Sequence, residues 1–407
     1  MLLLFSPTTQ ARRRQGPTGH YDTTLLIVII ALVSFGIVMV ASSSIAVAAG
    51  KHIGEFYYLK HHLVYLALGF ILAAVAMRTE MKFIERWHFA WLAGGIILLL
   101  VVFVPHLGMR INGARRWLHL GPLSFQPVEA MKLIIIIYLA SYLVRHQDGV
   151  ETRFFGALKP MLVAVLTAVL LLAQPDFGSA VLIMGVTVGM IWLGGARMRY
   201  LLYMGSTLVP VGIWLATSQS YRVERITSFL NPWKDPFDNG FQLVQALIAI
   251  GRGQWFGVGL GDSVQKLFYL PEAHTDFILA VIGEELGLAG IVLVIGLFAL
   301  LVWRGLAMGL KGVRLNQRFA GYVAFGVSMM IGLQAMVSIG VNLGVLPTKG
   351  LTLPLISSGG SSVLMTCLML GVLLRATYEI NRAADAPRMA VRHAESELAV
   401  VDEEVSA

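Results

Sequence analysis

Long apolar blocks recur along this chain, and each is near the ~20 residues that an α-helix needs to cross a ~30 Å hydrocarbon layer. They fall at 24–43, 59–77, 87–104, 127–144, 160–173, 178–194, 200–217, 277–303, 320–345 and 361–374. The chain is 57% hydrophobic and only 13% charged over 407 residues, against about 25% charge in a soluble domain. No alternating ten-residue pattern appears, which argues against a transmembrane barrel. The expected fold is therefore an all-α polytopic membrane protein of about ten transmembrane helices. A further apolar stretch, 241–250, is too short to span and reads as an interfacial or re-entrant helix. Between the fifth and sixth blocks, Gln174-Pro-Asp-Phe-Gly178 breaks the helix and turns the chain back.

The net charge of +8 is not a nucleic-acid signature in such a chain; it reflects cytoplasmic loop bias and contact with anionic lipid. With ten spans, the larger share of the 31 Lys and Arg lies on the side of the N-terminus, so both termini are expected in the cytoplasm. Residues 1–23 then form a cytoplasmic arm, 24–376 a membrane domain and 377–407 a charge-rich, disordered cytoplasmic tail. Arg12, Arg13 and Arg14 before the first block imitate a signal peptide, but the later blocks demand insertion and the first makes a good span. The single cysteine, Cys367, allows no internal disulfide. The longest loop, 218–276, becomes a large extracytoplasmic loop, and its length and its Trp, Phe and Gly content mark it as functional.

Four stretches carry chemistry. Where the long loop enters the eighth block, Tyr269-Leu-Pro-Glu-Ala-His274-Thr-Asp276-Phe277 sets a carboxylate at the membrane interface. Partial desolvation there raises its pKa and makes it a better base; the ordinary alternative is an N-cap. Glu284 and Glu285 lie two turns deeper, as structural or cavity residues. Gln126-Pro-Val-Glu129-Ala-Met-Lys132 places two charges three residues apart on one helix face, as a cavity or structural pair. Arg110, Arg115 and Arg116 suit a diphosphate, which guanidinium groups grip in bidentate fashion, or lipid headgroups. Leu346-Pro-Thr-Lys349-Gly-Leu-Thr-Leu-Pro-Leu-Ile-Ser-Ser-Gly-Gly-Ser361-Ser362 is too polar and too broken to lie against lipid, so it has to be buried in protein or line a polar cavity. Lys349 is its anion-ligand candidate. Gly257-Val-Gly-Leu-Gly261 lacks the Gly-Lys-Ser/Thr ending of a phosphate loop and is rejected as one. No zinc pattern and no nucleophile elbow emerges.

YLPEAHTDF, GEELG at 283–287, QPVEAMK, QPDFG and LPTKGLTLPLISSGGSS together resemble the SEDS family (shape, elongation, division and sporulation). The likeness runs from about residue 24 to 375, and GDSVQKLFYLPEAHTDF with the lysine of LPTKG is closer to its cell-division branch than to its elongation branch. The resemblance implies a peptidoglycan glycosyltransferase that polymerises lipid II into glycan strands at the septum of the bacterial inner membrane. Asp276 falls on the family's catalytic aspartate, expected as the general base of an inverting transfer. Arg110, Arg115, Arg116, Lys349, His274 and Ser361 become candidates for the substrate diphosphate, and Asp176, Glu284 and Glu285 for a cavity wall. No cofactor is required by the likeness, though a divalent cation, Mg or Mn, suits the diphosphate. The implied partners are a class B penicillin-binding protein (FtsI) and division proteins of the FtsQ, FtsL and FtsB type. A lipid II flippase or other secondary transporter is the competing reading, since broken helices and intramembrane charges fit that class too; a non-catalytic division scaffold is a third.

Overall fold

A computed structural model describes residues 20–405 except 51, 112–113, 121–122, 219, 237–239, 268–269, 271 and 349. The chain opens with α1 (Thr23–Gly50), α2 (Tyr57–Arg78), the short α3 (Met81–Arg86) and α4 (His88–Val101). Strands β1 (Gly108–Ile111), β2 (Ala114–Leu120) and β3 (Leu123–Phe125) follow as an antiparallel sheet. Next come α5 (Pro127–Arg145), α6 (Gln147–Thr152), α7 (Phe154–Ala173), α8 (Phe177–Leu193) and α9 (Met198–Thr217). The long loop holds α10 (Ser220–Leu230) and α11 (Phe241–Gly253), and α12 (Ile278–Arg314), α13 (Arg318–Asn342) and α14 (Gly360–Val405) complete the chain.

All ten expected blocks fall on helices. Seven of these, α1, α2, α5, α7, α12, α13 and α14, are long and apolar enough to cross a membrane, and α4 and α8 are shorter apolar helices. The apolar blocks did not foretell the sheet, which occupies the loop before α5. The turn at Gln174–Asp176 does fold α7 and α8 back on each other. Tyr200 Oη donates to the Thr152 carbonyl at 2.7 Å, so the start of α7 and the chain after α8 lie at one end.

Two ends of the bundle are tied separately. At the end holding both termini, Arg304 Nε donates to Asp22 Oδ2 at 2.8 Å, and Asn381 Nδ2 donates to the His20 carbonyl at 2.9 Å. Residues 378–385 are therefore packed, not a disordered tail: Ile380 is fully buried, its side chain lies against Gly312, and Tyr378 packs on Tyr21 with ring centroids 4.8 Å apart. The helix continues to Val405. The other end gathers the sheet, the long loop and every sequence motif singled out above.

Helix α12 is broken. Gly287 sits at φ +67°, ψ −161°, open to glycine at no steric cost. The break strands backbone groups inside the bundle, and residues 254–259 satisfy them. Leu288 N donates to Gln254 O at 2.8 Å, Ala289 N to Trp255 O at 3.1 Å, Val258 N to Glu284 O at 3.0 Å and Gly259 N to Glu285 O at 3.1 Å. A Cβ on Gly257 would come within 2.1 Å of the Glu285 carbonyl oxygen. The glycine run 257–261 is thus a close-approach surface for a broken helix.

A buried ion pair within α5 is tied to α13 by Gln334. Lys132 Nζ donates to Glu129 Oε1 at 2.7 Å and to Gln334 Oε1 at 2.8 Å, and Lys132 is fully buried. Removing one partner strands the other charge in a low-dielectric interior at a cost of about 3–5 kcal/mol. The double variant Glu129→Gln/Lys132→Met should therefore unfold in detergent at a higher temperature than either single variant. Strictly additive losses would show that the two do not act as a pair.

Candidate active site

The segment between α13 and α14 enters the bundle without forming a helix. Its prolines prevent a helical ladder, and side chains take over its hydrogen bonding. The Leu353 N–H donates to Ser357 Oγ at 2.8 Å, Gln334 Nε2 donates to the Thr352 carbonyl at 3.0 Å, and Thr352 Oγ1 donates to Ser362 Oγ at 2.9 Å. Leu353, Leu355, Ile356 and Ser357 are buried. Gly36 makes room in α1, since a Cβ there would stand 2.4 Å from the Leu355 carbonyl oxygen. From Leu351 to Ser357 the stretch lies mostly buried in protein, while Gly350 is exposed.

The turn 272–277 rests on that loop. Ser358 N donates to the His274 carbonyl at 3.0 Å, and the His274 ring lies 4.7 Å from that of Tyr58 on α2. Gly350 passes beside Asp276: a Cβ on Gly350 would be 3.0 Å from Asp276 Oδ2. Asp276 does not cap α12; Phe277 occupies the N-cap position and makes no side-chain cap bond. Among the described residues the Asp276 carboxylate, partly buried, has no hydrogen-bond or ion-pair partner. Burial, and secondarily the charge of Glu272, push its pKa up to about 7. A carboxylate that is half ionised near neutral pH suits proton abstraction.

The other candidates divide. Arg110 and Arg115 stand opposite each other across β1 and β2, hence on one face of the sheet, and both are exposed. Arg116 points the other way and is committed to the QPDFG turn, donating through Nε to the Gln174 carbonyl at 3.0 Å and through Nη2 to the Pro175 carbonyl. Ser361 is buried, and its Oγ accepts the Gln126 N–H at 3.2 Å; its hydroxyl ties α5 to α14. Asp176 is the N-cap of α8, accepting the Ser179 N–H at 3.2 Å. Lys349 lies outside the described residues.

Glu284 and Glu285 are both fully buried and fully engaged. Glu284 Oε1 accepts from Arg252 Nη1 at 2.8 Å and from Val264 N at 3.1 Å, while Oε2 accepts from Ser263 Oγ and Gln265 N. Glu285 Oε1 accepts from Lys266 Nζ at 2.8 Å, and Ser42 Oγ of α1 lies 2.7 Å from both its oxygens. Ordinary sequence spacing could not reveal these partners, because Ser42 lies 243 residues from Glu285. Their effect is to fasten the loop that leads to Asp276 onto α12 and α1. Among the described residues no three His, Cys, Asp or Glu side chains converge as a metal site, which does not fit a divalent ion held by the protein alone.

Residues of QPVEAMK, QPDFG and YLPEAHTDF thus meet the buried loop 351–362, and among the described residues the Asp276 carboxylate beside it has no partner. Comparison with known proteins agrees with that assembly. A family model described as "Cell cycle protein", FtsW/RodA/SpoVE, matches residues 22–382. A "Probable peptidoglycan glycosyltransferase FtsW" of Xanthomonas oryzae pv. oryzae is 53% identical over 381 residues, 94% of this chain and 78% of that one. The protein of the same name from Legionella pneumophila is 47% identical over 365 residues, 89% of this chain and 92% of its own. Among solved structures, a chain from work on the structural coordination of polymerization and crosslinking by a peptidoglycan synthase complex superposes with a TM-score of 0.70 at 30% identity, covering 88% of this chain and 98% of that one. The Rod shape determining protein RodA of Thermus thermophilus gives 0.63 at 29% identity, covering 88% and 96%. On its motifs, its fold and these matches, the chain belongs to the FtsW/RodA/SpoVE family of cell-cycle proteins, the SEDS family.

Proposed function

We propose that the chain is a peptidoglycan glycosyltransferase that polymerises lipid II into glycan strands during septal wall synthesis, with Asp276 as general base. The observation that carries this reading is the Asp276 carboxylate: partly buried, free of helix-capping duty and raised to about 7. In lipid II the donor sugar is α-linked to diphosphate, and the strand is β-linked, so one inverting displacement suffices. Asp276 takes the proton of the acceptor hydroxyl as its oxygen bonds to the anomeric carbon. The bond from that carbon to the diphosphate breaks, and the lipid diphosphate leaves with the electron pair. A diphosphate is already a good leaving group, so the second carboxylate of a glycosidase is not needed. Arg110 and Arg115, exposed on the sheet face, are the cations suited to the developing charge. A secondary transporter would keep its charges near the midplane; here Asp276 and both arginines lie at one end of the bundle.

The likeness to a chain studied in a polymerization and crosslinking complex supports a penicillin-binding transpeptidase as partner, of class B and FtsI-like in a division enzyme. FtsQ, FtsL and FtsB-type proteins follow from the same division role. The membrane would be the bacterial inner membrane, with both termini in the cytoplasm and the motif end outside.

Asp276→Asn should fold normally and bind its partner, yet lose at least ~10²–10⁴-fold in polymerisation rate, the ordinary worth of a general base. Near-wild-type strand synthesis by the folded variant would remove Asp276 from this role. In the wild type only the ionised carboxylate accepts the proton, so the rate should rise about tenfold per pH unit below the pKa of about 7 and level off above it. A rate that is flat across that window would contradict the assignment. For topology, in a Cys367→Ser background, cysteine at Asp262, which is exposed, should react with a membrane-impermeant thiol reagent added outside the inner membrane. Cysteine at exposed Gln317 should not; the opposite pattern would invert the topology.

A further inference from the structure

Helix α12 begins without a capping side chain of its own. Phe277 stands at the N-cap and can offer none. The donor that an N-cap side chain ordinarily takes is the N–H of the second or third helical residue, here Leu279 or Ala280. The Ala280 N–H is shared between the Phe277 carbonyl at 3.0 Å and another helix: Asn342, the last residue of α13, presents Oδ1 at 3.1 Å. The same amide turns its Nδ2 to the main-chain oxygen of Asp276 at 2.9 Å and to the Ser338 carbonyl at 2.9 Å. Asn342 is fully buried, and its amide oxygen and nitrogen are both engaged. One side chain therefore closes the first turn of α12 and grips the backbone of the residue two positions before that helix.

Aspartate is itself among the best capping residues, and Asp276 directly precedes Phe277. With the Ala280 N–H satisfied by Asn342, the Asp276 side chain has no capping work to do. Without Asn342 the Ala280 N–H would keep only its 3.0 Å bond to the Phe277 carbonyl, and Asp276 is the carboxylate nearest in sequence to share it. We propose that Asn342 is a positioning residue of the active site, which caps α12 in trans and holds the Asp276 backbone so that the Asp276 carboxylate stays free to act as base. This rests on Asp276 being the base, as proposed above. The titratable groups around that carboxylate are Glu272 and His274 on its own turn, and Tyr58 of α2, which packs on His274. Lys349 precedes Gly350 on the facing loop. Residues 338–345 of α13 and its exit bring no charge.

The test reads the carboxylate directly. A hydrophobic carbodiimide modifies protonated carboxyl groups, so labelling of Asp276 in full-length protein, followed by mass spectrometry across pH, gives its titration midpoint without any turnover. In the wild type the midpoint should lie near 7. In Asn342→Ala it should fall by about one unit or more, because a carboxylate that accepts backbone N–H bonds is stabilised in its charged form. Polymerisation should fall about tenfold or more in kcat, with KM for lipid II changed less than about threefold. Asn342→Asp keeps an acceptor for Ala280 and should not lower the midpoint. If the Ala variant does not accumulate, Asn342→Ser, whose hydroxyl is too short for both contacts, replaces it. A midpoint that stays near 7 in the Ala or Ser variant overturns the proposal, whatever thermal stability does. A lowered midpoint with unchanged polymerisation would uphold the role of Asn342 and remove Asp276 as base.

Discussion

A peptide group at membrane depth has to find its hydrogen bonds inside the protein, because hydrocarbon supplies none. Among the described residues the chain leaves its helices inside the bundle between α13 and α14 and at Gly287 within α12. In both places a neighbouring segment supplies the missing partners. Gln334, Ser357 and the Ser358 to His274 backbone bond close the first. The backbone of 254–259 closes the second. Each break is tolerated only where it is packed against another part of the chain.

The site follows from that requirement. The loop after α13 can be buried only if α1 opens at Gly36 and the turn 272–277 lies on top of it, which brings Asp276 beside Gly350. The break at Gly287 separates residues 278–286 from the rest of α12, so the short segment bearing Asp276 is oriented by its own ties. Glu284 and Glu285 anchor its far end to Arg252, Ser263, Lys266 and Ser42, and Asn342 anchors its near end. The buried Lys132 and Gln334 then link the loop back to α5. Polar groups that look catalytic in a list of motifs are, for the most part, the fastenings that leave one carboxylate unfastened.

Much of this was legible in the sequence. Each apolar block fell on a helix, the Pro and Gly of QPDFG marked the reversal, and the polarity of 346–362 called for burial or a polar cavity. Asp276 stood out because it sets an ionisable side chain at the membrane interface beside an apolar helix, where partial desolvation raises its pKa. What could not be read was who pairs with whom. Arg116 and Ser361 look like anion ligands until the carbonyls of Gln174 and Pro175 and the N–H of Gln126 are seen to claim them. Glu284 and Glu285 find partners far away in the chain. The sheet at 108–125 was missed because its strands are only three to seven residues long, too short for a periodic signal. Asp176 is the exception: an Asp just before a helix start is a local cap signal, and the structure uses it as one.

The proposed function sets a polymerase against a transporter, and one reconstitution asks that question. Purified full-length protein and its transpeptidase partner, placed in liposomes with labelled lipid II in either leaflet, can be assayed for glycan strands and for lipid II movement between leaflets. The account requires strands from lipid II in the leaflet facing Asp276, and none from lipid II confined to the other leaflet. Transfer of lipid II across the bilayer with no strand formed would contradict it.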